Sequence, residues 1–170
     1  MVSLGVVDDV QLDSSGGKPD TPGVVAPPLV LFGIVILLAF LLQHMHRVAI
    51  PLSPRTVKWC GAILLDGSGL LALWAAGFMV HARTHINPLR PATALVKGGP
   101  YRFSRNPLSV SLLMLYVGLA FQMNSLWPII LLPPVLWVYH VGIILREERY
   151  LEAKFGDEYR NYRAAVRRWL

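Results

Sequence analysis

Charge is scarce in this chain, and that scarcity excludes a good deal. Only 15% of the 170 residues are Asp, Glu, Lys or Arg, whereas a soluble domain carries about a quarter. The deficit is concentrated in long apolar runs, which points to lipid rather than to a large soluble core. Cysteine is nearly absent. Cys60 stands alone, so no intrachain disulfide can form, and its place at the head of an apolar run favours packing over thiol chemistry. There is no phosphate-cradling P-loop, no GxSxG elbow and no CxxC pair, which removes the signatures of nucleotide hydrolysis, α/β-hydrolase chemistry and thiol redox exchange. Residues 1–24 hold one Lys and no apolar core segment, so they do not read as a signal peptide. Their Gly, Pro, Ser and Asp content predicts a disordered tail, leaving residues 25–170 as a single membrane domain.

What is present is apolar. Hydrophobic residues make up 54% of the chain. Four runs stand out, at about 28–43, 57–80, 108–123 and 126–145. The first is short for a span of roughly 20 residues. The second is interrupted by Asp66-Gly67-Ser68-Gly69, the fourth carries Pro133-Pro134, and only Asn124-Ser125 separates the last two. The fold expected is an all-α polytopic membrane bundle of about four transmembrane helices, with a tight hairpin at its end and a kink at the two prolines. After Leu145 the apolar residues Leu151, Phe155, Tyr159, Tyr162, Val166 and Trp169 recur at helical spacing among Arg and Glu. This predicts a C-terminal amphipathic helix, broken near Gly156.

The net charge of +6 is distributed unevenly. With four spans, one side of the membrane collects Lys18, five cations of the second loop and seven of the tail, thirteen in all; the other collects Arg47, Arg55 and Lys58. The positive-inside bias then places both termini in the cytoplasm, at the inner membrane if the source is bacterial. Because the cations cluster at membrane boundaries, nucleic acid is not an expected partner, whereas the lipid bilayer is. Trp59, Trp74, Trp127, Trp137 and Trp169 sit mostly near span ends, as an aromatic belt does.

Two segments carry chemistry. Gly98-Gly99-Pro100 forces an irregular backbone beside Tyr101, Arg102 and Arg105, and Asn106-Pro107 then opens the third helix. A helix N-terminus flanked by arginines is suited to an anion; a basic loop that only sets topology is the plainer account. The second segment is Arg146-Glu147-Glu148, two carboxylates where the chain leaves the membrane, costly there unless paired. Connectivity puts both segments on one side. Together they would offer carboxylates to a cation and Arg to an anion, the polarity that S-adenosylmethionine requires; a solvated Glu/Arg helix face is the plainer account here.

GPYRFSRNPL, followed after a hairpin by REERYLEAKFGDEYRNYRAAVRRWL, resembles the isoprenylcysteine carboxyl methyltransferase and phospholipid methyltransferase superfamily over about residues 85–170. The resemblance implies an S-adenosyl-L-methionine-dependent membrane methyltransferase whose acceptor enters from the lipid: an isoprenylcysteine carboxylate, a phospholipid amine or another small lipophilic group. Carried over by motif, Val96, Gly99, Pro100, Tyr101, Arg105, Asn106, Pro107 and Leu108 line the cofactor, and Glu147 and Glu148 close it. Arg105, Glu147 and Glu148 then act at the reacting centre. His140, one to two turns before Glu147, is a candidate to assist the acceptor, or else a packing histidine.

The chain departs from the family pattern at four positions. Asn106 stands for a histidine. Ser109 and Ser111 replace an expected Tyr and Gly, removing an aromatic wall and crowding a close approach. Ile143 stands where the prenyl-protein enzymes carry Arg. Ile143 weakens the case for a prenylcysteine carboxylate acceptor, while Ser109 and Ser111 favour the alternative of a non-catalytic membrane interaction or lipid-binding relative. A sterol-reductase-like NADPH enzyme is a third reading, with no clear phosphate cluster to support it. Asp66, in mid-span, is either a functional carboxylate or a hydrogen-bond partner of neighbouring small residues. His81 and His85 share an i,i+4 face, but no third ligand stands at a supporting spacing, so no metal site is expected.

Overall fold

Proline marks the start of every long apolar helix in this protein. It occupies one of the first two positions of α1 (Pro28–Met45), α2 (Pro54–His81), α3 (Pro107–Gln122) and α4 (Trp127–Tyr139). Its missing N–H costs nothing there, and its fixed φ suits the first turn. The Ser53 hydroxyl adds a side-chain cap to α2, accepting from Thr56 N at 3.2 Å. The computed structural model describes residues 23, 27–85 and 90–169. Apart from Gly23, the expected N-terminal tail therefore lies outside the described residues.

Among the described residues the secondary structure is helical, with no strand. Three helices are long and apolar enough to cross a membrane: α1 with 18 residues, α2 with 28, and the continuous helical stretch Trp127–Phe155. The fourth apolar helix, α3, has 16 residues, below the roughly 20 a full span requires. The stretch from Trp127 is not uniform. It runs as α-helix through Pro133 and Pro134 to Tyr139 and widens into a π turn over His140–Ile144. It then resumes as α5 (Leu145–Phe155). Gly156, at φ +56°, ends α5, and α6 (Asp157–Ala165) follows.

Small residues set the tightest contact, between α2 and α3. A Cβ on Gly118 would stand 2.9 Å from Leu65 Cδ2, and one on Gly61 would stand 3.1 Å from Phe121 Cβ. The Ser68 hydroxyl donates across the same interface to the Ser111 carbonyl at 2.8 Å. Close backbone approach and an interhelical hydrogen bond are the usual means of joining helices in lipid. Ser68, not Asp66, makes this contact; Asp66 lies two residues away on another face of α2 and is exposed.

α1 packs against α4 around a buried cluster of Phe32, Tyr116, Val135, Tyr139, Ile143 and Ile144. The Phe32 ring meets Tyr116 and Tyr139 edge-on at centroid distances of 5.3 and 5.2 Å, the arrangement ring quadrupoles favour. At the far end of the bundle the Gln43 carbonyl oxygen accepts from Val48 N and Ser125 Oγ. Leu126 N donates to Val48 O. These bonds tie the α1–α2 loop to the α3–α4 turn.

Candidate functional site

The glycine-proline segment folds first through its backbone. Gly99 adopts φ +57°, a conformation that suits glycine, and a Cβ there would also press on the Phe78 ring. The chain then makes a single 3-10 turn over Gly99–Arg102, with Pro100 and Tyr101 buried. Ser104 ends the turn: its N–H donates to Pro100 O, and its hydroxyl accepts from Asn106 N at 3.1 Å. Pro107 is fully buried, while Val96, Asn106 and Leu108 are half-buried.

Forty residues later in sequence, Glu148 comes to the same place. Its side chain is 7% exposed, and that of Arg105 is 8% exposed. Arg105 Nη1 lies 2.9 Å from Glu148 Oε1. Arg168 completes the cluster with a bidentate grip, Nε to Oε1 and Nη2 to Oε2, both at 2.8 Å. Planar guanidinium and carboxylate groups match in this way. The bond to Glu148 holds the Arg168 guanidinium above its ordinary pKa. Charges this buried persist only when paired and hydrogen-bonded.

The C-terminal element forms the roof. From α6, the Tyr162 hydroxyl donates to the Tyr101 carbonyl at 2.6 Å, and Tyr159 Oη lies 3.4 Å from Arg105 Nη1. Burial raises the Tyr162 hydroxyl well above the usual phenol range. Burial raises that of Tyr159 as well; the Glu148 charge adds to this and Arg105 opposes it. Burial likewise raises Tyr101, and the charge of Glu147 raises it further. After α6 the chain runs as a strap over residues 166–169. Arg105 N donates to Arg167 O at 2.9 Å, and Ser104 Oγ and Asn106 Nδ2 both reach Arg168 O at 3.3 Å. Lys97 and Glu158 pair at the rim at 2.8 Å.

The structure therefore brings Gly99, Pro100, Tyr101, Arg105, Asn106 and Glu148 together beneath α6 and the strap, with Glu147 half-buried next to Glu148 in sequence. His140 is separate. It opens the π turn and lines an apolar cleft of about 320 Å³ with Leu113, Pro133, Leu136, Trp137 and Trp169. The strap is the common boundary, since Arg168 grips Glu148 while Trp169 faces this cleft. A second cavity, about 490 Å³, lies at the far end of the bundle beside Gln43, His44 and Arg47.

Sequence reasoning missed Arg168 and Tyr159 as members of the cluster. The motif tail contained both, but spacing alone does not say which cation of Arg163, Arg167 and Arg168 turns inward. The buried Ser109 hydroxyl of α3 lies 2.6 Å from that of Tyr139 on α4. Ser111 bonds back to Leu108 O at 2.7 Å. His85 Nδ1 lies 3.2 Å from the Pro91 carbonyl. Among the described residues no group of three His, Cys, Asp or Glu side chains is placed to hold a metal ion.

An uncharacterized protein of Haemophilus influenzae (strain ATCC 51907 / DSM 11121 / KW20 / Rd) is 74% identical over 27 residues, 16% of this chain and 43% of the relative. The matched stretch thus spans less than half of that relative's length. No solved structure matches. The profile of the phospholipid methyltransferase family matches residues 56–158, from the first turn of α2 into α6. That stretch contains the GPY turn, Arg105 and both glutamates, on a helical scaffold suited to a bilayer: the chain belongs to the phospholipid methyltransferase family, a family of membrane methyltransferases.

Proposed function

We propose that this protein transfers a methyl group from S-adenosyl-L-methionine to a lipophilic or membrane-associated acceptor. The observation that carries the reading is the meeting of Arg105 and Glu148, 2.9 Å apart and both more than nine-tenths buried. A buried acid and a buried base at the edge of a bilayer are expensive to maintain. Their use is recognition of a ligand that carries both signs of charge.

The residues present fit such a cofactor. Arg105 Nε is buried with no hydrogen-bond partner among the described residues, and an orphaned donor of this kind calls for an acceptor. A ligand carboxylate supplies one. Glu148 offers the opposite charge to an amino or sulfonium group. The Gly99–Arg102 turn and Asn106 supply the wall. The bound cofactor contributes an electrophilic methyl group on sulfur; the chain's own work is to hold, orient and exclude water. A carboxylate acceptor attacks without losing a proton, whereas an amine or thiol gives one up before or during attack. His140, in the cleft on the other side of Trp169, is the group suited to that task. The distribution of Lys and Arg supports a cytoplasmic site with both termini on that side, at the inner membrane in a bacterium.

A second reading, a non-catalytic lipid-binding or interaction relative, draws on one observation: both oxygens of Glu148 are already held by arginines. Calorimetry separates the two. The full chain in detergent is titrated with S-adenosyl-L-methionine, and with NADPH as the control. Binding of the first, lost in Arg105→Gln, is the expected result. Absence of heat from the wild-type protein would overturn the proposal.

A further inference from the structure

The Glu148 carboxylate accepts three charge-assisted hydrogen bonds, and the two guanidiniums that supply them differ in how firmly they are fixed. Arg105 is 8% exposed. It lies in a segment pinned by the GPY turn on one side and the fully buried Pro107 on the other. Arg168 is 29% exposed and belongs to the strap, which follows a nine-residue helix. Of the three bonds that tie the strap's backbone to residues 104–106, the two from Ser104 and Asn106 to Arg168 O are 3.3 Å long, beyond the range of strong hydrogen bonds. Oε1 accepts from both guanidiniums and Oε2 from Arg168 alone, so a cationic ligand group that pairs with both oxygens must displace a guanidinium, and Arg168 is the one able to leave.

We infer that Arg168 is an internal competitor for the ligand's cation: it occupies Glu148 when the site is empty, and the 166–169 strap lifts when the ligand binds. The inference rests on the proposed role of Glu148 in holding the cofactor. Arg168 thereby supplies the partner of the buried Oε2, which Arg105 leaves unpaired, a costly state otherwise, and lowers the affinity of the site by the work of its own displacement. Trp169 gives the strap a second hold. Its ring lies in the apolar cleft with His140 and Trp137, so movement of Arg168 uncovers the cleft as well. A residue that only supported the fold would weaken ligand binding when removed. A competitor strengthens it.

The test is calorimetric titration of the full-length protein in detergent with S-adenosyl-L-methionine, comparing wild type, Arg168→Gln, Arg168→Lys and Trp169→Ala. Arg168→Gln is expected to bind about tenfold more tightly than wild type. Arg168→Lys, which keeps the charge and loses the bidentate fork, should fall between them. Trp169→Ala loosens the strap without touching Glu148 and should also bind more tightly; it decides the matter if Arg168→Gln melts below the assay temperature. Equal or weaker binding by the folded variants, with wild-type binding intact, overturns the competitor role and leaves the methyltransferase reading standing. No binding by any of the four proteins overturns that reading, and the competitor with it.

Discussion

The hydroxyls of Ser109 and Tyr139 lie 2.6 Å apart inside the bundle, and both residues are buried. This bond joins α3 to α4 where few other polar contacts do. Removing one partner leaves a buried hydroxyl without its bond, at a cost of about 1–3 kcal/mol, whereas removing both is nearly neutral. Ser109→Ala and Tyr139→Phe are each expected to lower stability by about 1–2 kcal/mol, and the double variant by less than their sum. Unfolding of the detergent-solubilised protein in a double-mutant cycle measures the coupling. Simple additivity would mean that the two hydroxyls do not depend on each other.

A second expectation concerns the α2–α3 contact. No room exists for a side chain at Gly118, where a Cβ would meet Leu65 at 2.9 Å. Gly118→Val should force the helices apart, at about 1–3 kcal/mol for overpacking. Gly69 faces open space, and Gly69→Ala should leave the melting temperature unchanged or raise it slightly through better helix propensity. Thermal denaturation of the two variants side by side tests the asymmetry; an equal loss at both would contradict the packing described.

The paired glutamates should also separate experimentally. Glu148→Gln removes the anion between two guanidiniums and leaves Arg105 buried without its counter-charge, a loss of about 3–5 kcal/mol for a broken buried pair. Glu147 is half-buried and makes no ion pair among the described residues, so Glu147→Gln should be far milder in stability. Denaturant titration of both variants checks the order, and a larger loss at Glu147 would reverse the assignment of the structural carboxylate.

Topology has its own readout. Single cysteines introduced at Arg102 and Arg55 in a Cys60→Ala background should react differently with a membrane-impermeant maleimide. In right-side-out cells Arg55→Cys is labelled and Arg102→Cys is protected, as the cation distribution requires. The opposite pattern would invert the bundle.

Much of this architecture was legible before any coordinates. The apolar runs locate α1 to α4, and the Gly156 break in the tail is visible because glycine interrupts an amphipathic period. The convergence of Gly99-Pro100-Tyr101 with Glu148 follows from connectivity, since both ends emerge on one side of the bundle. What could not be read is which polar atoms face each other. Arg167 and Arg168 are adjacent and chemically identical, and only the backbone direction after α6 turns the second inward. Asp66 and Ser68 posed the same ambiguity: helical rotation, not sequence, gives the α3 contact to the serine. The π turn at His140–Ile144 was invisible too, because a single wide turn leaves the apolar pattern of α4 unbroken.

The reversal at Gly156 has a consequence for how the chain tolerates change. Nothing lies within 4 Å of the place where its Cβ would stand, so the constraint there is angular, not steric. One extra residue in α6 ahead of Tyr159 would rotate everything after it by about 100°. Tyr159 and Tyr162 would swing away from Arg105 and the Tyr101 carbonyl, and the last four described residues would leave the bundle on a different heading. The segment between the hinge and the strap thus behaves like a key cut to one length: free to vary at its exposed positions, and intolerant of any insertion or deletion.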